Sequence, residues 1–174
     1  SRSDVVLANC EPVAESMRDF VDEVHVVPNG CELPRGGPRP PRPSFLPPPR
    51  GPLVAYVGNL SSRIDHDLLE GIARTRPQWD LVLVGSAHLD RSALALGRLP
   101  NVHLPGVVPY ERVKDMLAHV DVGLIPHVDD AMTRSMNPLK AYVYAAAGVP
   151  VVSTPVANLA EVGQTPSMSP VGTG

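Results

Sequence analysis

Aromatic residues are scarce, at 4 % of 174, so a core must be assembled from Val, Leu, Ala and Ile, within an apolar content of 43 %. Lysine is nearly absent: of 15 basic residues only Lys114 and Lys140 are lysines, a bias that coding preference explains, so each is a weak pointer. The formal charge of −3 excludes a general nucleic-acid binder, which needs positive surface to release counterions. Cysteine is limited to Cys10 and Cys31, in no metal-like spacing, which points to free thiols in a reducing, cytoplasmic setting. No apolar run reaches the about 18 residues that a membrane-spanning helix needs. The longest, over 141–152, is broken by Gly148 and Pro150, so membrane association is not evident. No G-x-G-x-x-G follows a strand, which argues against a dinucleotide-binding domain. The chain opens directly on a strand, DVVLA, so no targeting segment is expected.

What is present alternates between strand and helix. Residues 1–29 read as strand–helix–strand: DVVLA, then EPVAESMRDF with Pro12 in its first turn, then a strand over 24–27 ended by Pro28, Asn29 and Gly30. Such a unit is too small to fold alone. Residues 34–52 hold nine prolines and four arginines and read as a semi-rigid linker within 30–52. Pro38-Arg39-Pro40-Pro41 could also serve as a docking peptide for an aromatic groove, but linker composition explains it more simply. From residue 53 the pattern becomes regular, with strands over 52–58, 80–85, 102–104 and the VDVGLIP run. Helices fall over 65–76, 90–99 and 110–120, and in NPLKAYVYAAAG. A last helix begins near Asn158, and the tail 164–174 has no periodicity and is expected to lack order. The fold class this implies is α/β, with a doubly wound, Rossmann-like parallel sheet.

Parallel sheets carry ligand loops at the carboxyl ends of their strands. Three loops qualify: Gly58-Asn59-Leu60-Ser61-Ser62-Arg63, Gly85-Ser86 with Gly106-Val107-Val108 beside it, and His127 to Lys140. Gly58 permits close backbone approach, and Arg63 offers a forked donor suited to phosphate. Asn137 and the first-turn amides of the helix after it form an anion seat, with Lys140 as a point charge. Together these describe a diphosphate pocket. Each residue alone has a plainer reading: Gly58 as a turn, Arg63 and Lys140 as solvated charges.

Other constellations carry less. Asp65-His66-Asp67 spells a D-x-D metal pattern, but helix capping by Asp65 and a dipole contact from Asp67 account for both carboxylates. His127 with Asp129 and Asp130 could be proposed as a metal site, on a spacing that is not diagnostic. His25, His88, His103 and His119 are isolated. Ser61 and Ser62 lack a His/Asp partnership, so a hydrolase triad is unsupported.

The ordered set VVPNG, VAYVGNLSSRIDHDLLEGIARTRPQWDLVLVGS, NVHLPGVVPYERVKDMLAHVDVGLIP and NPLKAYVYAAAGVPVVST, over about residues 3–163, resembles the carboxyl-terminal half of group 1 (GT4-like) glycosyltransferases. The resemblance implies the GT-B architecture of two Rossmann-like domains. Residues 1–29 then correspond to the last strand–helix–strand of an otherwise absent acceptor domain, 30–52 to the linker and 53–174 to a truncated nucleotide-sugar domain. It implies transfer from a nucleoside diphosphate sugar to a hydroxyl acceptor with retention, without a bound metal or other cofactor. Gly58, Asn59, Leu60 and Arg63 then correspond to the diphosphate loop. Asn137, Pro138, Leu139 and Lys140 face sugar and phosphates, and Gly85, Val107 and Val108 lie at the base. Two glutamates that the family commonly carries fall on Ser135 and Val143. Val143 occupies the ribose-binding position, where an unpaired hydroxyl would weaken binding by about 1–3 kcal/mol. Two other readings remain: a non-catalytic binding domain that lost the ribose contact, and a sugar-nucleotide epimerase, against which the lack of an acid/base pair counts.

Overall fold

The structure, a computed structural model, describes residues 4–32, 37–87, 90–134, 136–155 and 168–170. Strand β1 (Val5–Ala8), helix α1 (Glu11–Arg18) and strand β2 (Glu23–Val26) form one unit, its two strands paired in parallel. The larger sheet follows: β3 (Leu53–Val57), α2 (His66–Thr75), β4 (Asp80–Val84), α3 (Arg91–Leu96), β5 (Val102–Gly106), α4 (Tyr110–Leu117) and β6 (Val122–Ile125), then α5 (Ala131–Arg134), α6 (Leu139–Ala146), β7 (Val151–Ser153) and β8 (Met168–Pro170). Six strands lie in the order β5-β4-β3-β6-β7-β8, all parallel, as expected of a doubly wound sheet.

Alternation along the strands divides the core in two. Leu53, Ala55, Val82, Val84, Ile125 and Val151 face α4 and α6. Val54, Tyr56, Leu81, Leu83 and Leu124 face α2 and α3. Local signals set the helix ends. Asp65 Oδ1 accepts from the Leu68 amide at 2.8 Å, and Asp90 Oδ1 from Ser92 and Ala93, each satisfying amides that a helix start leaves unpaired. At the end of α6, Gly148 adopts φ +70°, while the Val149 amide donates to Tyr144 O and that of Gly148 to Ala145 O. This is the left-handed glycine stop that the sequence signals.

Three features add to what the sequence leads one to expect. The tail 164–174 was expected to lack order, yet Met168–Pro170 pairs with β7 as an edge strand, where a terminal proline is tolerated. The loop between β6 and α6 contains α5, one turn whose start is fixed by Asp130 Oδ1 accepting from the Thr133 amide at 2.7 Å. The Pro-rich segment is more than a spacer. Leu46 is 7 % exposed within the α4/α6 side of the core, and Phe45 packs against it. Arg39 Nε donates to Ala118 O at 2.8 Å, and His119 Nε2 donates to Pro40 O at 2.9 Å. The Pro38-Arg39-Pro40-Pro41 run is thus held on the end of α4. The helix expected from Asn158 lies outside the described residues. Among those described, no helix is long and apolar enough to cross a membrane.

Helix α6 is seated by one side chain. The Tyr144 ring lies on Gly123 of β6, where any Cβ would come within 2.7 Å of it. The Tyr144 hydroxyl accepts from the Val57 amide at 3.0 Å and points back to Ala55 O at 3.4 Å. Tyr144 is fully buried, so Tyr144→Phe leaves the Val57 amide without a partner. Chemical denaturation is expected to show a loss of about 1–3 kcal/mol for that variant. A larger loss is expected for Gly123→Ala, which pushes the ring off the sheet.

Candidate functional site

The sheet order reverses between β3 and β6. The chain runs from β3 outward through β4 and β5, then returns to β6 on the other side of β3. At such a switch point the loops leaving neighbouring strands diverge and open a crevice at the carboxyl ends. The loops after β3 and β4 meet there backbone to backbone. Gly58 and Gly85 adopt φ +146° and +144°, and a Cβ on Gly85 would lie 1.9 Å from Gly58 O. Only glycine fits that approach.

The loop after β3 is then stitched to the loop after β6. The Asp65 amide donates to Pro126 O at 2.8 Å, the Val128 amide to Arg63 O at 2.9 Å, and Ile64 bridges His127 in antiparallel fashion. This pairing carries Arg63 to the segment that leads into α6, where its guanidinium reaches Met136 Sδ at 4.0 Å. Lys140 arrives from the other side. Its Nζ donates to His127 Nε2 at 3.2 Å and stands 5.0 Å from the centroid of the Tyr56 ring. Neither Arg63 nor Lys140 forms an ion pair with a carboxylate among the described residues. Lys114, by contrast, pairs on the surface with Glu32 and Glu111.

The electrostatics record that imbalance. Burial, with the Arg63 charge adding to it, pulls the Lys140 ammonium down to about 8. Burial pulls His127 down to about 4, helped by Lys140 and Arg63 and opposed weakly by Asp130. Burial also pushes the Tyr56 phenol upward, against the pull of Arg63. A desolvated lysine and a half-buried arginine beside a neutral histidine, at the amino end of a helix with no side-chain cap, make a seat for an anion.

The residues expected at the site divide into groups. Gly58, Gly85, Arg63 and Lys140 converge as described. Asn59 is exposed, its carbonyl accepting from the Tyr56 hydroxyl at 3.0 Å. Leu60 is 1 % exposed and belongs to the α2/α3 core; its contribution is an amide bonded to Ser86 O. Pro138 is buried and Leu139 is half-exposed. The Asn137 side chain turns toward the amino-terminal unit: Nδ2 donates to Asn9 O and to the Tyr142 hydroxyl, each at 3.2 Å, and Asn29 Nδ2 donates to Asn137 O at 2.9 Å. With Cys31 Sγ donating to Tyr142 O, this ties residues 9–31 to the start of α6. Val107 is exposed, and Val108 packs partly against the α4/α6 core. Val143 packs on that core too and lines a cavity of about 610 Å³ between α4 and α6, with Tyr110, Lys114 and Glu32. Ser135 lies outside the described residues.

The candidate metal ligands are engaged elsewhere. Asp65 caps α2, Asp130 Oδ1 caps α5, and His127 Nε2 faces an ammonium rather than a carboxylate. Sequence reasoning overlooked His127 as a partner of Lys140, and Tyr56 as the floor beneath it. The available signal was positional: His127 stands just beyond a parallel strand, and Tyr56 sits next to the β3 glycine on the face opposite Ala55.

Comparison with known proteins identifies the family and the fold. A sequence model of the family "Glycosyl transferases group 1" matches residues 51–171. TuaH of Bacillus subtilis (strain 168), named as a teichuronic acid biosynthesis glycosyltransferase, is 30 % identical over 137 residues, covering 76 % of this chain and 34 % of its own. Among solved structures, HepE of Anabaena in complex with UDP-glucose superposes with a TM-score of 0.69 at 17 % identity, over 98 % of this chain and 50 % of that one. Sucrose-phosphate synthase of Thermosynechococcus elongatus gives a TM-score of 0.62 at 20 % identity, over 97 % and 45 %. The fold is the Rossmann-like fold of GT-B glycosyltransferases, and the chain belongs to the group 1 glycosyl transferases. It spans about a third of the curated relative and half or less of these two solved chains.

The lowered Lys140 value makes a stability prediction of definite sign. The unfolded chain binds a proton at Lys140 up to about pH 10.5, the folded chain only up to about 8, so stability rises with pH between those values. Lys140→Met is therefore expected to stabilise the unliganded protein at pH 7 by about 1–3 kcal/mol in urea denaturation. The gain should shrink as pH approaches 10.5.

Proposed function

We propose that this chain is the donor-binding part of a glycosyltransferase that moves a sugar from a nucleoside diphosphate sugar to a hydroxyl acceptor, with retention and without a metal, in the cytoplasm. The observation that carries the reading is the convergence of Arg63 and Lys140, unpaired with any described carboxylate, on the crevice where the sheet order reverses. Diphosphate charge grows as the glycosidic bond breaks, and fixed cations and helix-start amides stabilise a charge that develops beside them. Gly58, Asn59 and Leu60 supply the backbone of the diphosphate loop, and residues 137–140 the helix-start side. Gly85, Val107 and Val108 border the base. Uridine is the base favoured by the UDP-glucose bound to HepE.

On this reading residues 1–29 close an acceptor domain, 30–52 link it to the donor domain that begins at 53, and the chain alone is inactive because the cleft needs both walls. The Asn9–Asn137–Asn29 contacts favour it, since they join the amino-terminal unit to the donor loop itself. A second reading, a binding domain without catalysis, is favoured by Val143, whose side chain cannot accept a hydrogen bond from a ribose hydroxyl.

Calorimetric titration with uridine, guanosine and adenosine diphosphates tests the donor site. One of the three is expected to bind with millimolar or tighter affinity at pH 7, and Lys140→Met or Arg63→Ala to weaken it at least tenfold. Affinity should fall about tenfold between pH 7 and pH 9 as Lys140 loses its proton. Absence of heat with all three nucleotides would remove the reading. Val143→Glu separates the two alternatives: a gain of about tenfold in nucleotide affinity places the ribose there, and no change places it elsewhere.

A further inference from the structure

Lysine is a poor choice for a fixed charge. Its ammonium rides on a flexible four-carbon stem and has no preferred fork geometry. Lys140 is nevertheless held, and the holder is an uncharged side chain. His127 is 3 % exposed and fixed on both sides of its Cα. Ile64 bridges it, the next amide, that of Val128, donates to Arg63 O, and Thr154 Oγ1 donates to its carbonyl at 2.7 Å. An ammonium can only donate, so Nε2 accepts and the ring proton sits on Nδ1. Nδ1 is buried without a partner among the described residues, so no other bond competes for the ring's orientation.

From this geometry we infer that His127 is a positioning residue, a rigid neutral acceptor that holds Lys140 Nζ over Tyr56 and beside Arg63. The inference rests on the reading of Arg63 and Lys140 as the diphosphate seat. A carboxylate in the same place would neutralise Lys140 and compete with the ligand. A hydrocarbon would let the ammonium swing into water. A neutral imidazole fixes the position and leaves the full positive charge for an anion. Burial keeps the ring neutral, and the groups facing it add to this: Lys140 from α6 and Arg63 from the loop after β3 oppose a proton, Asp130 favours one weakly, and Tyr56 from β3 carries no charge. Anion binding therefore has an acid limit of its own. As pH falls toward about 4 the ring gains a proton, Nε2 ceases to accept, and Lys140 is pushed away.

The chain has only two lysines, so carbon-13 labelling of lysine gives two Cε signals that can be followed separately. In the parent protein the Lys140 signal is expected to titrate near pH 8 and that of Lys114 above its usual range. In His127→Leu the Lys140 midpoint should rise by one unit or more, as the ammonium escapes to water, and pyrophosphate should bind at least tenfold more weakly. His127→Gln, which places an acceptor near the Nε2 position, should restore both. If His127→Leu does not fold, as judged by circular dichroism, His127→Asn replaces it, because its shorter side chain cannot reach Nζ. A leucine or asparagine variant with the parent's midpoint and affinity would overturn the proposal. Failure of the parent to bind pyrophosphate or any nucleotide would remove the diphosphate site, while the lysine titration still decides whether His127 positions Lys140.

Discussion

The hydrogen bond from the Val57 amide to the Tyr144 hydroxyl is the contact on which the site depends. It joins the last residue of β3 to the middle of α6, across 87 residues of chain. Gly123 makes it possible by leaving the ring room against β6. Once Tyr144 is placed, Lys140 lies one helical turn earlier and on the same side, since i and i+4 share a helix face. That puts its ammonium at the carboxyl edge of the sheet, above Tyr56 and within reach of His127. The same helix start has no side-chain cap. One buried phenol thus helps to set the position of a buried charge in the pocket.

The fold then tolerates a cost at that place. Arg63 and Lys140 are brought together without a described carboxylate, and both burial and mutual repulsion disfavour the Lys140 charge. The local loops gain nothing in stability from this, and their backbone pairing is what enforces it. Strain of this kind concentrates where a ligand completes the arrangement. The Asn137 contacts add a mechanical link, because the same short segment that starts α6 also bonds to Asn9 and Asn29 of the amino-terminal unit. A shift of that unit would be felt at the start of α6 through three amide side chains or carbonyls rather than through a long path.

Much of the fold was legible because it rests on local chemistry. Strand runs such as LVAYV and the LVLV that follows Asp80 are dominated by apolar residues, and Asp65, Asp90 and Gly148 mark helix ends by well-understood rules. The site was legible only in part. Gly58, Arg63 and Lys140 follow from strand-end position and residue type. His127 did not, because its role depends on an antiparallel bridge between two loops that are 63 residues apart in sequence. Asn137 stands at the expected helix start, because Asn-Pro precedes a helix. Its side-chain amide also bonds to partners 128 and 108 residues away, which no local pattern could reveal. Leu46 was hidden for a related reason: a Pro-rich composition predicts an extended chain and says nothing of one apolar residue finding the core. Met168–Pro170 forms a strand through pairing with β7, not through any periodicity of its own.

The most direct test of the central claim is a crystal structure of this chain soaked with uridine diphosphate. The account predicts phosphate oxygens within hydrogen-bond distance of Lys140 Nζ and the Arg63 guanidinium, at the Gly58 end of β3, with His127 still bonded to Lys140. A diphosphate bound instead in the cavity between α4 and α6, beside Lys114 and Tyr110, with Lys140 and Arg63 untouched, would contradict it.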